Sequence, residues 1–323
     1  MVPGMTEIAS IYGPVAGDVP LVGDRLRELA SGHHQLLGDV LGHIFSSGGK
    51  RIRPALVLLS GSLGTYDRDR LVTLAVSLEV VHTATLVHDD MIDEALTRRG
   101  QPTISAVWDG KVAILLGDFL LALSAETASR LDSVRIMQML SATVMAMSSG
   151  ELRQYAASKS RGIDEADYFH RIAGKTASLF AMCCEGAGVV SGQNEEQLAA
   201  LREYGTNLGL AFQIADDVLD FSGDEQTLGK PAGSDLRNGT ITLPVILLAE
   251  SLRDDGPVRD DIKQGRNTEA IIDMVRSSPV LERSLERAME YAAAARNDLQ
   301  IFPQSAARNA LAALADQVAS RRS

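Results

Sequence analysis

Residues 78–94 read LEVVHTATLVHDDMIDE, and the helical period of this run decides the fold. Apolar residues dominate it until it ends in Asp89, Asp90 and Asp93. At about 100° per residue the three carboxylates share one arc of a helix, with Asp89 and Asp93 a turn apart and Asp90 beside them. Such a cluster repels itself unless cations neutralise it. Residues 208–221, LGLAFQIADDVLDF, repeat the arrangement with Asp216, Asp217 and Asp220. One such motif reads equally well as a solvated acidic helix end. Two copies, each closing a run that looks buried, need a ligand, because clustered carboxylates at the mouth of a core are costly alone. Carboxylates at this spacing suit Mg²⁺, which keeps several waters and completes its octahedron with one or two carboxylates and substrate phosphates.

Outward from these runs the helical period persists. It predicts long helices at Arg70 to Asp93, Val112 to Ser129, Val134 to Ala156, Asp164 to Gly186 and Glu195 to Phe221. Breakers gather at 46–54 (SSGGKRIRP), 98–103 (RRGQPT), 222–239 and 254–267. No break is long and polar enough to be an interdomain linker, and no fixed-period repeat is visible. The expectation is an all-α fold, a single large helical bundle over residues 21–323 behind a loose N-terminal arm at 1–20.

Composition narrows the function. Of 323 residues 45% are hydrophobic and 23% charged, so a sizeable core is available. A net charge of −11 argues against a nucleic-acid partner, which needs a positive surface. It does not forbid an anionic ligand, provided metal cations or a local basic cluster stand between ligand and protein. The two cysteines, Cys183 and Cys184, are adjacent in an apolar stretch and read as buried thiols of a reducing compartment. No secretory signal is evident, and the best apolar stretch, Val112 to Ala125, is interrupted by Asp118, so a cytoplasmic protein is expected.

Basic groups surround the acids. Lys50, Arg51 and Arg53 follow Gly48 and Gly49, where backbone can approach an anion closely and the side chains supply a point charge and forks. Arg98 and Arg99 come five and six residues after Asp93; Lys175 and Thr176 form a GKT step inside a helix; Lys230 follows the second cluster. Each is a solvated basic residue when read alone. His82, a lone histidine on an apolar helix, reads alone as a core residue.

Taken in order, GGKRxRP, HDDxxDxxxxRRG, GKT, FQxxDDxxD and GKPxGxDL resemble the trans-isoprenyl (polyprenyl) diphosphate synthases, over the chain from about residue 48 to 248. The resemblance implies an isoprenoid synthase-like bundle with a central prenyl-chain cavity, working as a homodimer that touches membrane only transiently for product release. It implies that Lys50, Arg53, His82 and Arg99 hold isopentenyl diphosphate. Arg98, Lys175, Thr176, Gln213 and Lys230 would hold the allylic diphosphate, and Asp89, Asp90, Asp93, Asp216, Asp217 and Asp220 its Mg²⁺ ions, three in number. Lys175 and Lys230 join the aspartates as catalytic groups, since ionisation of the allylic diphosphate rests on electrostatic stabilisation rather than on a side-chain nucleophile.

The resemblance also assigns product length to the residues behind Asp89. Thr85, Ala84 and Val81 are small where short-chain members place an aromatic floor, so a heptaprenyl to decaprenyl product is expected, with Ala84→Phe shortening it. Shorter farnesyl or geranylgeranyl products remain the alternative. A class I terpene cyclase is disfavoured by DDVLD in place of an Asn and Ser/Thr metal set. A noncatalytic partner subunit is disfavoured by two complete aspartate sets.

Overall fold

The computed structural model describes residues 11–46, 51–98, 100–223, 231–252 and 256–319, and these are helical almost throughout. Helices of eight residues or more are numbered in chain order. They are α1 (Val19–Leu29), α2 (Gln35–Ser46), α3 (Ile52–Gly61), α4 (Arg68–Ile92) and α5 (Gly110–Ser129). Next come α6 (Val134–Ser160), α7 (Glu165–Ile172), α8 (Ser178–Val190) and α9 (Glu195–Ser222). The series closes with α10 (Leu243–Ser251), α11 (Pro257–Gln264), α12 (Thr268–Ser277), α13 (Val280–Asp298) and α14 (Ala306–Ala319). The expected all-α class holds. The sole sheet among the described residues is a hairpin of β1 (Thr97–Arg98) and β2 (Gln101–Pro102), with Arg98 opposite Gln101, in a segment read from sequence only as a break.

Local chemistry sets the helix ends. The Asp67 carboxylate accepts from the Arg70 N–H at 3.2 Å to start α4, Asp109 caps Val112 at 2.9 Å for α5, and Asp164 caps Asp167 at 3.1 Å for α7. At α9 the Asn194 and Gln197 side chains accept from each other's backbone N–H at 2.9 and 3.1 Å, a reciprocal box. Helix α4 ends where Glu94 turns left-handed, at φ 51°. The run predicted as one helix from Asp164 to Gly186 is instead α7 and α8 joined by a π-helical turn, Ala173–Ala177, which contains the GKT step. Such bulges re-aim side chains and gather at functional sites.

The chain forms two compact units. The first comprises residues 1–144, 181–202 and 299–313. Its core is α3, α4 and α5 with the start of α9, and Leu56, Leu58, Leu71, Leu74, Leu78, Leu120, Cys183, Cys184 and Leu201 are fully buried. Both thiols are free, as expected, and burial pushes Cys184 up to about 12 and Cys183 well above its ordinary value. The expected loose arm is docked where it is described: Tyr12 and Val15 are buried, and residues 1–10 lie outside the described residues.

The second unit comprises residues 145–180, 203–298 and 314–323. Tyr168, Phe180, Tyr204, Phe221 and Leu243 are buried in it, with the Phe180 and Phe212 rings 5.2 Å apart. Among the described residues two helices, α4 and α5, are long and apolar enough to cross a membrane by length and composition, with 61% and 39% of their apolar windows buried. Helix α5 is therefore longer than the apolar stretch read from sequence, and it leaves Ile114 and Leu115 exposed at 49% and 67%.

Candidate active site

The first acidic cluster closes α4 within the first unit. Asp89 is half-buried, Asp90 buried and Asp93 exposed, so the arc read from sequence runs from the core edge to the surface. The two-stranded hairpin turns at Gly100, where φ is +75°, and carries Arg98 back over the helix end. Arg98 Nε donates to Asp90 Oδ1 at 2.6 Å. Burial raises the Asp90 carboxyl above its usual range; the Arg98 charge and hydrogen bond oppose this, and Asp93 adds to it. Arg98 is thus already engaged with a carboxylate. Arg99 lies outside the described residues.

Elsewhere in the same unit, Arg51 sits left-handed at φ 48° before α3 and pairs with Glu79 at 2.9 Å, both largely buried. It is therefore a structural cation. Arg53, its neighbour two residues on, is half-buried and near enough to Cys183 to act on that thiol. Lys50 and the two glycines before it lie outside the described residues. His82 is half-buried on α4, and its carbonyl accepts from the Thr85 hydroxyl at 2.9 Å.

The second cluster closes α9 within the second unit and is held differently. Asp216 is exposed, whereas Asp217 and Asp220 are each 3% exposed. Both Asp217 oxygens accept from protein: Tyr168 O–H donates to Oδ2 at 2.6 Å and Gln213 Nε2 to Oδ1 at 2.8 Å. Gln213 Oε1 in turn accepts from Thr176 Oγ1 at 2.7 Å. One chain of hydrogen bonds therefore joins the GKT turn to the second acidic cluster. Desolvation, and then the nearby Asp235 carboxylate, push Asp217 up to about 8 against the two donors. Burial likewise pushes Tyr168 well above its ordinary value, with Asp217 contributing.

Asp220 anchors the segment that returns after the second cluster. Its carbonyl accepts from Gly233 N–H at 2.7 Å and its Oδ2 from Asp235 N–H at 3.2 Å. Arg171, 2% exposed, fixes the continuation by donating to the Ile241 carbonyl at 3.1 Å. Lys230 lies outside the described residues.

Lys175 leaves the π-helical turn and meets Glu151 of α6 at 2.5 Å, both side chains about a quarter exposed. The two elements cross where neither can carry a side chain: a Cβ on Gly150 would lie 2.6 Å from Lys175 N, and one on Gly174 2.8 Å from the Ala146 carbonyl. Sequence reasoning missed Tyr168, Glu151 and Asp235 as members of this assembly. Asp235 lay inside the quoted GKPxGxDL pattern without a role, while Tyr168 and Glu151 carry no local signal.

Within the first unit a cavity of about 280 Å³ opens between α4, α5 and α6, lined by Val81, Leu121, Ser124, Ala125, Met137, Leu140, Ser141 and Val144. Of the three residues assigned from sequence to product length, Val81 lines it. Ala84 is fully buried and Thr85 half-buried, and neither lines this space.

The carboxylate and hydroxyl donors of both clusters are hard oxygen ligands, the type Mg²⁺ and Ca²⁺ select. Among the described residues no three His, Cys, Asp or Glu side chains converge as a ready-made metal site.

Comparison with known proteins agrees with this chemistry. Residues 34–278 match the polyprenyl synthetase family. A heptaprenyl diphosphate synthase component 2 from Bacillus subtilis is 36% identical over 96% of this chain and 90% of that protein. A polyprenyl synthase from Caulobacter crescentus, solved with calcium and isoprenyl diphosphate, superimposes with a TM-score of 0.91 at 33% identity, covering 98% of both chains. A decaprenyl diphosphate synthase from Rhodobacter capsulatus gives 0.90 at 34% identity, covering 98% of this chain and 99% of that one.

Proposed function

The chain belongs to the polyprenyl synthetase family, and on that premise we propose that it is a trans-polyprenyl diphosphate synthase adding isopentenyl diphosphate repeatedly to an allylic diphosphate. Its product is a long all-trans chain, heptaprenyl to decaprenyl, in keeping with the heptaprenyl and decaprenyl synthases it resembles. One observation carries the reading: the hydrogen-bonded line from Thr176 through Gln213 to Asp217, which couples a phosphate-binding step to a metal-binding carboxylate.

Mg²⁺ is the cofactor, held through Asp89, Asp90, Asp93, Asp216, Asp217 and Asp220, some through water, with Asp235 a further carboxylate beside the second set. A relative crystallised with calcium and an isoprenyl diphosphate supports this donor chemistry. When bound, the ions neutralise the diphosphate as it leaves the allylic carbon. The chain's own groups do the rest. Lys175, Thr176, Gln213, Arg98 and Lys230 orient the allylic diphosphate; Lys50, Arg53, His82 and Arg99 hold isopentenyl diphosphate alongside. The allylic C–O bond breaks, a C–C bond forms to isopentenyl diphosphate, and a proton is lost to the departing diphosphate. Apolar walls keep water from quenching the cation.

The working form is a homodimer. Support comes from α5, whose apolar length leaves Ile114 and Leu115 exposed at 49% and 67%, more apolar surface than a lone helix face leaves in water without cost. Sedimentation of the purified chain at twice its monomer mass is the expected result.

Incubation with farnesyl diphosphate and isopentenyl diphosphate, with and without Mg²⁺, tests the activity. Metal-dependent incorporation of isopentenyl carbon is expected. Hydrocarbon formed from farnesyl diphosphate alone would favour a cyclase instead.

A further inference from the structure

Lys175 and Glu151 are brought together by the backbone itself. Each follows the glycine at which the π-helical turn and α6 cross, Glu151 after Gly150 and Lys175 after Gly174. A Cβ on Gly150 would lie 2.6 Å from Lys175 N, and one on Gly174 2.8 Å from the Ala146 carbonyl, so the two elements touch with no side chain between them. The pair is therefore built into the crossing. Lys175 Nζ stands 2.5 Å from Glu151 Oε2, with the side chains 27% and 21% exposed. Glu151 Oε2 is buried and accepts no well-directed hydrogen bond, so the contact is Coulombic. Water and salt screen a pair at that depth less than they screen one on the surface.

A lysine so placed does not present its full charge to a ligand. Its ammonium is a point charge, and Glu151 offsets that charge at close range. What the ligand requires of Lys175 changes during the reaction. While the allylic C–O bond breaks, the cation stabilises negative charge developing on the diphosphate. Once the C–C bond has formed, the same group is free inorganic diphosphate. It must leave before the lengthened chain, which carries the diphosphate of isopentenyl diphosphate, can take its place, and every added unit repeats that departure. An unopposed cation in a partly buried site holds the departing anion more tightly than repeated release allows.

On the polyprenyl synthase reading, on which this rests, we infer that Glu151 is a positioning residue acting through Lys175: its carboxylate shares the ammonium with the diphosphate and so loosens inorganic diphosphate for release after each condensation. Glu151 belongs to neither aspartate cluster. A purely orienting role predicts the opposite sign, since a lysine that loses its guide grips the diphosphate less well. Neutralising Glu151 leaves the Lys175 charge partly buried and without this counter-charge, a cost that a bound anion relieves.

Isothermal titration calorimetry of the full chain with inorganic diphosphate and Mg²⁺ tests this, together with thermal unfolding with and without those additions. Glu151→Gln keeps the shape and removes the charge. It is expected to bind inorganic diphosphate about tenfold more tightly than the parent, near the low end for close charge pairs because this one is partly exposed. Its melting temperature alone should be no higher than the parent's, and the rise on adding inorganic diphosphate and Mg²⁺ larger; a merely structural role lowers the first without enlarging the second. Glu151→Asp, which draws the charge back by one methylene, should fall between the two and takes the place of Glu151→Gln if that variant does not fold. Affinity equal to the parent's or weaker in folded Glu151→Gln, or in folded Glu151→Asp where it stands in, overturns the inference and leaves the activity standing. Absence of elongation from farnesyl and isopentenyl diphosphates by the unmodified chain overturns the activity itself.

Discussion

The two aspartate clusters share a sequence pattern and differ in how the protein holds them. At the end of α4 the buried Asp90 is met by a cation of the same chain, Arg98 at 2.6 Å, while Asp93 stays exposed. At the end of α9 the buried Asp217 is met, among the described residues, by the neutral donors Tyr168 and Gln213, with Asp235 adding negative charge nearby. The first cluster carries part of its own neutralisation. Among the described residues the second has no such cation beside its buried carboxylate, so a proton or a bound cation would relieve its cost.

The largest effects should come from removing carboxylates that reach outward. Asp89→Ala and Asp216→Ala are each expected to lower turnover by on the order of 10²–10³-fold, the usual consequence of losing one group that stabilises transition-state charge. Steady-state incorporation of labelled isopentenyl diphosphate measures this. Near-normal rates in either variant contradict the assignment.

Next is the asymmetry itself. Tyr168→Phe takes one of two donors from Asp217 and should raise the Mg²⁺ concentration needed for half-maximal rate by about tenfold, given roughly 1.5–3 kcal/mol for a hydrogen bond to a charged group. Arg98→Gln should instead act on stability and on Asp90, with a smaller change in metal requirement. Equal shifts in the two variants would erase the distinction between clusters.

The pH dependence of the metal-free protein follows from Asp217. Its carboxyl is raised from 3.8 to about 8, so the folded state holds a proton that the unfolded state releases across that window. The contribution to stability is present below the unfolded value and is lost as pH climbs toward the folded one. The melting temperature of metal-free protein should therefore gain a downward slope between about pH 4 and 8 from this group, and Asp217→Asn should flatten it. An identical slope in the variant would remove Asp217 as its source.

The smallest expected effect concerns the crossing that aims Lys175. Gly150→Ala puts a Cβ 2.6 Å from the Lys175 backbone nitrogen and should cost about 1–3 kcal/mol in denaturant unfolding, with the allylic substrate's KM raised more than that of isopentenyl diphosphate.

Much of this is legible in the sequence of the chain. The helical period of residues 78–94 and 208–221 located α4 and α9 and put the aspartates at their ends, because periodicity and charge clustering are local properties. What escaped was long-range. Tyr168 meets Asp217 from 49 positions away, and Glu151 meets Lys175 from 24, and no spacing rule joins such pairs. The π-helical turn at the GKT step was invisible because its residues have ordinary helical propensity; it follows from the close crossing at Gly150 and Gly174. Val81, Ala84 and Thr85 were read as neighbours from their place on one helix, whereas the cavity that Val81 lines is built mostly from α5 and α6.

The most direct test is the product ladder of the purified chain given farnesyl diphosphate, excess isopentenyl diphosphate and Mg²⁺, read by mass. The account predicts a series ending in a heptaprenyl to decaprenyl diphosphate. A ladder that stops at geranylgeranyl, or no elongation at all, would contradict it.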